Sequence, residues 1–220
     1  MRGPRTNVLL VALVVALLTP RVTLEQVTTP AKPAAEVSEL EYVVFSSYIT
    51  KAFTGTKGED RTGSRVSNIV VVNKTRSDMD DSHMQDEKDK PVSWKKVSKY
   101  LRKEAPALQQ ETIEKLREVG TQSVPLRPSF QLPVPYQLVE AREIEAIFEN
   151  KGWWTDYYKK YPGSQGYLVL SKIGFSPDGN QALFYASNSC GGKCGTGTYV
   201  VMQRSDTGWK LVKEILIWIS

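Results

Sequence analysis

The apolar positions of this chain fall at helical spacing first and at strand spacing later. Val37, Leu40, Val44 and Tyr48 share one helical stripe, which Phe45, Ile49 and Ala52 widen. Ser38-Glu39-Leu40-Glu41 opens the stripe as a capping box, with Ser38 as N-cap and Glu41 at the third helical position. The pattern predicts a helix to about Phe53, broad enough in its apolar face to lie across a sheet. Gly55 and Gly58 end it, and residues 68–75 (NIVVVNKT) read as a strand. After an acidic, loop-like stretch (77–90), Pro91 suits the first position of a second helix, with Trp94, Val97 and Leu101 as its apolar face. Leu108, Thr112, Leu116 and Val119 carry a third helix that Gly120 stops. Four prolines hold 121–135 extended. A short strand at 136–139 and a short helix around 143–149 follow.

From Gly166 the period changes to strands. Residues 167–175, 181–187, 198–204 and 209–219 are rich in aromatic and β-branched side chains. Ser176-Pro-Asp-Gly-Asn180 and Ser205-Asp-Thr-Gly208 are hairpin turns, so the four runs form an antiparallel meander. In the last run, Val212, Leu216 and Trp218 lie opposite Trp209, Leu211, Ile215, Ile217 and Ile219. Apolar residues on both faces predict a sheet covered on both sides, or one curved around a helix. The expected fold is α+β: an N-terminal helix on a curved antiparallel sheet ending in a four-strand meander, with extra helices between. That order is similar to cystatin-like and NTF2-like domains, an analogy of fold from which no function follows.

The N-terminus carries a different signal. Arg2 and Arg5 precede an unbroken apolar run from Val8 to Leu18, closed by Thr19-Pro20, the layout of a secretory signal peptide. The run falls short of the roughly 20 apolar residues of a spanning helix. The expected organisation is a signal peptide over 1–22, a flexible tether over 23–35 and one α+β domain over 36–220. The location that follows is periplasmic or extracellular. If left uncleaved, the signal segment would be the chain's one attachment to a membrane.

Composition narrows the chemistry. With 40% hydrophobic and 24% charged residues in 220, the chain is ordinarily globular. Arg2, Arg5 and Arg21 against the single acid Glu25 carry two of the five excess positive charges, leaving +3 beyond residue 31. Lys95, Lys96, Arg102 and Lys103 alternate with apolar positions as on a solvated helix face, so nucleic acid is not an expected partner. One His and two Cys cannot build a multi-His or four-Cys metal site, and no cofactor motif is present. His83, among Asp80, Asp81 and Asp86, lacks the ordered spacing and glycine of a calcium loop.

Three groups of residues remain as candidates. Cys190-Gly-Gly-Lys-Cys194 separates two strands; in an exported chain it reads as a structural disulfide pinning a hairpin, ahead of a redox or metal pair. Trp153, Trp154, Tyr157, Tyr158 and Tyr161 crowd into nine residues, with Trp153, Tyr157 and Tyr161 on one helical row and Trp154 and Tyr158 on another. The bland reading packs one row under the sheet and lets the other half-cover its edge. The functional reading makes Trp154 and Tyr158 a surface that stacks on sugar or aromatic rings, with Lys159 and Lys160 beside it. Glu140, Glu143 and Glu145 are candidates for a general acid.

The last third has a recognisable outline. It comprises Gly152-Trp153, Tyr161-Pro162-Gly-Ser164-x-Gly166, Leu170-Ser171 with Gly174-Phe175, Ala182-Leu-Phe-Tyr185, Cys190-Gly-Gly-Lys-Cys194-Gly-x-Gly197-x-Tyr199, Trp209 and Trp218-Ile219-Ser220. This resembles a group of uncharacterised bacterial exported proteins over about residues 150–220, and more weakly in the first helix and the strand after it. The resemblance implies bacterial export and paired cysteines, and attaches no activity or site. The expected function is a non-catalytic binding or structural domain of the cell envelope, its partner an envelope component or a small ligand. The alternative is a carboxylate-dependent hydrolase with its site in a sheet cavity.

Overall fold

The computed structural model describes residues 36–55, 63–77, 93–149 and 151–220. The expected signal peptide and tether lie outside the described residues, as does His83 with its neighbouring aspartates.

Helix α1 (Glu39–Ile49) begins on the expected capping box: Ser38 Oγ accepts from the Glu41 amide at 3.3 Å, and Glu41 Oε2 accepts from the Ser38 amide at 2.8 Å. It ends in a π-helical turn over Thr50–Thr54, so the expected single helix to Phe53 closes on a wider last turn. Strand β1 (Asn68–Val72) follows, then α2 (Trp94–Glu104), α3 (Gln110–Val119), β2 (Tyr136–Val139), α4 (Ala141–Phe148) and α5 (Trp153–Lys160). The remaining strands are β3 (Ser164–Leu170), β4 (Gly174–Phe175), β5 (Gln181–Gly191), β6 (Cys194–Ser205) and β7 (Gly208–Ile219).

These strands form one open, mostly antiparallel sheet in the order β2-β1-β3-β5-β6-β7, with β4 on β5, in an α+β architecture. The expected meander is β3, β5, β6 and β7, joined by hairpins with Gly179 at φ 68° and Gly208 at φ 116°. β1 adds a parallel half, running parallel to both β2 and β3. The expected run over 167–175 is broken between β3 and β4, where Lys172 turns inward to reach Glu41. Gly174 then lies so close to α3 that a Cβ would collide with the Leu116 and Thr112 backbone.

Both faces of the sheet carry buried clusters, as alternation along each strand requires, but along the edge strand β7 Val212, Leu216 and Ile219 stay exposed, so the expected cover does not extend there. On one face Ile69, Val71, Leu168, Leu170, Ala182, Phe184, Val200 and Met202 meet Tyr42, Phe45, Tyr48 and Ile49 of α1, together with Val124, Leu126 and Phe130. On the other face two separate clusters form. Leu183, Tyr185, Tyr199, Val201 and Ile215 pack under α2 and α3, while Val70, Val72, Val139, Tyr167 and Val169 pack under α4 and α5. The second of these carries the aromatic helix.

Candidate functional site

α5 is pinned from below and open above. Tyr157 and Tyr161 are buried against Val70, Val72 and Ile144, so theirs is the row that packs on the sheet. Burial pushes both phenols above the ordinary tyrosine range, for Tyr161 with the Glu143 carboxylate adding to the rise. Trp153, assigned by helical spacing to the same row, does not follow them: its side chain is 60% exposed. Its backbone is also unusual: Trp153 has φ 45°, a sign that no other described non-glycine residue shares. A bulky side chain in that region costs about 1–3 kcal/mol and persists where the surroundings hold it in place. Here the buried Tyr157 and Tyr161 fix the helix one and two turns on. A Cβ at Gly152 would meet the Asp156 carboxylate, a side-chain end that can swing aside.

Trp154 is half-buried and stacks on Tyr167 of β3, rings 5.9 Å apart at 11°. Phe148, the last residue of α4, packs on Trp154 at 4.9 Å. Trp153, Trp154, Phe148 and Tyr167 then line a pocket of about 280 Å³, completed by Ser189 and Gly191 of β5. Trp154 is thus a lining residue. Tyr158 does not line the pocket; its hydroxyl donates to the Cys190 carbonyl at 3.0 Å, bracing the chain between the two lining residues of β5. Phe148, Tyr167, Ser189 and Gly191 are site residues that sequence reasoning missed. The alternation of Tyr167 with Leu168 and Val169 was the available signal for the first wall.

The cysteines form part of the same structure. Cys190 and Cys194 lie at disulfide distance, Cα atoms 5.0 Å apart, across a two-residue turn. The strands extend to Gly191 and from Cys194, further than composition suggested, and the register shifts between Ser189 and Gly191. This bulge re-aims the β5 backbone towards the pocket. Opposite it, Gly166 has φ 99°, and a Cβ there would collide with the Ser189 carbonyl. β3 and the bulge therefore touch backbone to backbone.

The carboxylates gather differently from a two-carboxylate active site. Glu140 lines a second cavity of about 370 Å³ at the carboxyl ends of β1 and β2, with Val72, Asn73, Lys74, Ala141 and Arg142. It is exposed there and forms an ion pair with Arg142. Glu143, three residues on, is not among those lining residues; it is ion-paired to Lys160 at 2.8 Å and accepts from the Tyr161 hydroxyl. Those two neighbours hold its carboxyl below the ordinary glutamate range, the reverse of what a general acid at neutral pH requires. Glu145 is exposed on α4. Lys159 bonds Asp156 at 3.1 Å, outside the pocket. Among the described residues, no group of three or more His, Cys, Asp or Glu could hold a metal ion, and no helix is long and apolar enough to cross a membrane.

No family model matches the chain, and neither a curated protein nor a solved structure does. Function is therefore read from the site's own chemistry.

Proposed function

We propose that this chain is an exported, non-catalytic binding domain of a bacterial cell envelope, with the aromatic pocket of α5 as its ligand site. Export rests on the n-region and apolar run over residues 1–18 and on the resemblance of the last third. Binding rests on one observation above the rest: Trp153 is held in a strained backbone conformation with its ring exposed beside a pocket walled by stacked aromatics. Strain without burial contributes nothing to packing, and an exposed, rigid aromatic is what a stacking ligand uses. The hydrolase alternative needs two titratable groups converging on one cavity, and of this pair only Glu140, ion-paired to Arg142, is among the lining residues.

The test is a thermal-shift and tryptophan-fluorescence screen of the exported protein with glycans, lipids and peptidoglycan fragments. A ligand at a hundredfold its Kd stabilises by about 2.7 kcal/mol, which raises Tm by roughly 5–10 °C. A ligand that quenches tryptophan in the wild type and not in Trp153→Ala supports the reading. Binding that survives Trp153→Ala unchanged, or hydrolysis of a screened compound that Glu140→Gln abolishes, overturns it. Export is checked by N-terminal sequencing of fractionated cells: a start beyond Leu18 in the envelope or medium is expected, and mature protein in the cytosol with Met1 intact refutes it.

A further inference from the structure

We infer that the aromatic pocket takes the flat face of a single uncharged pyranose ring, with Trp153 as the stacking residue and Ser189 as the hydrogen-bonding one. This rests on the binding reading and names the ligand class of the same site.

Size sets the first limit. About 280 Å³ lies just under the roughly 300–1,000 Å³ of drug-sized sites, so the pocket holds one ring of a longer ligand and leaves the rest in solvent. Charge sets the second. None of the lining residues, Phe148, Trp153, Trp154, Tyr167, Ser189 and Gly191, carries a charge. A carboxylate or phosphate would be buried there without a partner. A quaternary ammonium is the other ligand that aromatic walls attract. Its positive headgroup finds no carboxylate among those lining residues, so phosphocholine enters the test as a competitor.

Polarity sets the third limit. Ser189 offers a hydroxyl that both donates and accepts, on a wall otherwise made of rings. A ligand matching this surface has an apolar face and hydroxyl or amide groups around its edge. A pyranose meets that description: its axial C–H groups form the face and its equatorial groups the rim. A plain aromatic ring offers the face alone and forms no bond with the half-buried Ser189 hydroxyl. Preorganisation completes the case. Trp154, Tyr167 and Phe148 already stack on one another, so that wall has little side-chain freedom left to lose on binding.

The experiment titrates the exported protein with cellotriose and chitotriose, following tryptophan fluorescence, with phosphocholine and indole as competitors. Cellotriose or chitotriose is expected to saturate the signal. Trp153→Ala should weaken it at least tenfold and Ser189→Ala about threefold, while neither competitor displaces the sugar. Trp153 is exposed and Ser189 is on a strand rim, so both variants should keep the wild-type melt; Trp153→Phe, expected to retain most affinity, separates loss of stacking from loss of fold. Tighter binding of phosphocholine or indole than of either sugar overturns the ligand class and leaves the pocket a binding site. Saturable sugar binding unaffected by Trp153→Ala overturns the assignment to this pocket. If the broader screen also finds no ligand, the binding reading falls with it.

Discussion

The joint between α1 and the sheet is a buried ion pair, and breaking it from one side should be among the most damaging single changes in the chain. Glu41 closes the capping box and also reaches across to the β3–β4 connection. Its Oε2 accepts from the Ser38 amide at 2.8 Å, the Ser38 hydroxyl at 3.0 Å and Lys172 Nζ at 2.8 Å, while Oε1 accepts from the Ile173 amide at 3.2 Å. The two side chains are 5% and 10% exposed. Replacing Glu41 by Leu strips four donors of their acceptor and leaves the Lys172 ammonium with the Glu36 carbonyl at 2.6 Å. Leaving one partner of a buried pair uncompensated costs about 3–5 kcal/mol. For a domain of this size that lowers Tm by roughly 6–20 °C.

Lys172→Met should cost less, about 1.5–3 kcal/mol, because Glu41 keeps the two Ser38 donors and the Ile173 amide. The double variant Glu41→Leu/Lys172→Met should be less destabilised than the sum, by about 1–3 kcal/mol of coupling. Urea denaturation followed by circular dichroism measures all three, with unchanged m-values confirming a common folded state. A Glu41→Leu loss below about 1 kcal/mol, or strict additivity in the double variant, would refute the view that the pair holds α1 to the sheet.

Three further outcomes are expected. Cys190→Ser should cost about 2 kcal/mol, the loop-closure value for so short a ring, and non-reducing mass spectrometry of the exported protein should find no free thiols; quantitative thiol trapping would return the pair to a reactive role. Gly197→Ala should cost about 1–3 kcal/mol, because a Cβ there intrudes on the 2.7 Å bond from Trp218 Nε1 to the Tyr185 hydroxyl; an unchanged melt would show that β6 and β7 part without loss. Glu143, its carboxyl held low by Lys160 and Tyr161, stabilises the fold above the ordinary glutamate pKa of about 4.3, an increment lost as pH falls through the lowered folded value; carboxyl NMR should show Lys160→Met raising that midpoint, and an unmoved midpoint contradicts the cause given.

Local rules carried much of this fold. Ser38 and Glu41 read correctly as a capping box because both partners lie within one turn of helix. The hairpin turns at Gly179 and Gly208 read correctly because glycine supplies a backbone conformation that few residues share. What did not show was who pairs with whom. Val70 of β1 is in register with Gln137 of β2 and Tyr167 of β3, strands separated from it by two or four helices, and no spacing in the sequence encodes that choice. The ends of β5 and β6 were hidden for another reason. Ser187 to Gly191 and Cys194 to Gly197 have weak strand propensity, and they extend because cross-strand pairing with β3 and β7, and the cysteine pair, hold them.

The candidate site was half legible, and the missing half follows from the same physics. Periodicity put Trp153 on one row with Tyr157 and Tyr161. The structure exposes it while they are buried, and nothing in a Gly-Trp-Trp sequence announces that or its positive φ. The other wall is equally silent: Ser189 and Gly191 reach the pocket through a bulge, and Tyr167 through a strand on the far side of β1 from β2. Three departures from regular geometry thus meet at one place: the strained Trp153, the Ser189–Gly191 bulge and the left-handed Gly166 packed against it. A sheet and helix packed only for stability would relax each of them, since bulge and strain both give up favourable backbone energy. Their convergence around one aromatic pocket is the structural reason to look for the ligand there before the grooves at the ends of β1 and β2 or beside the π-turn of α1.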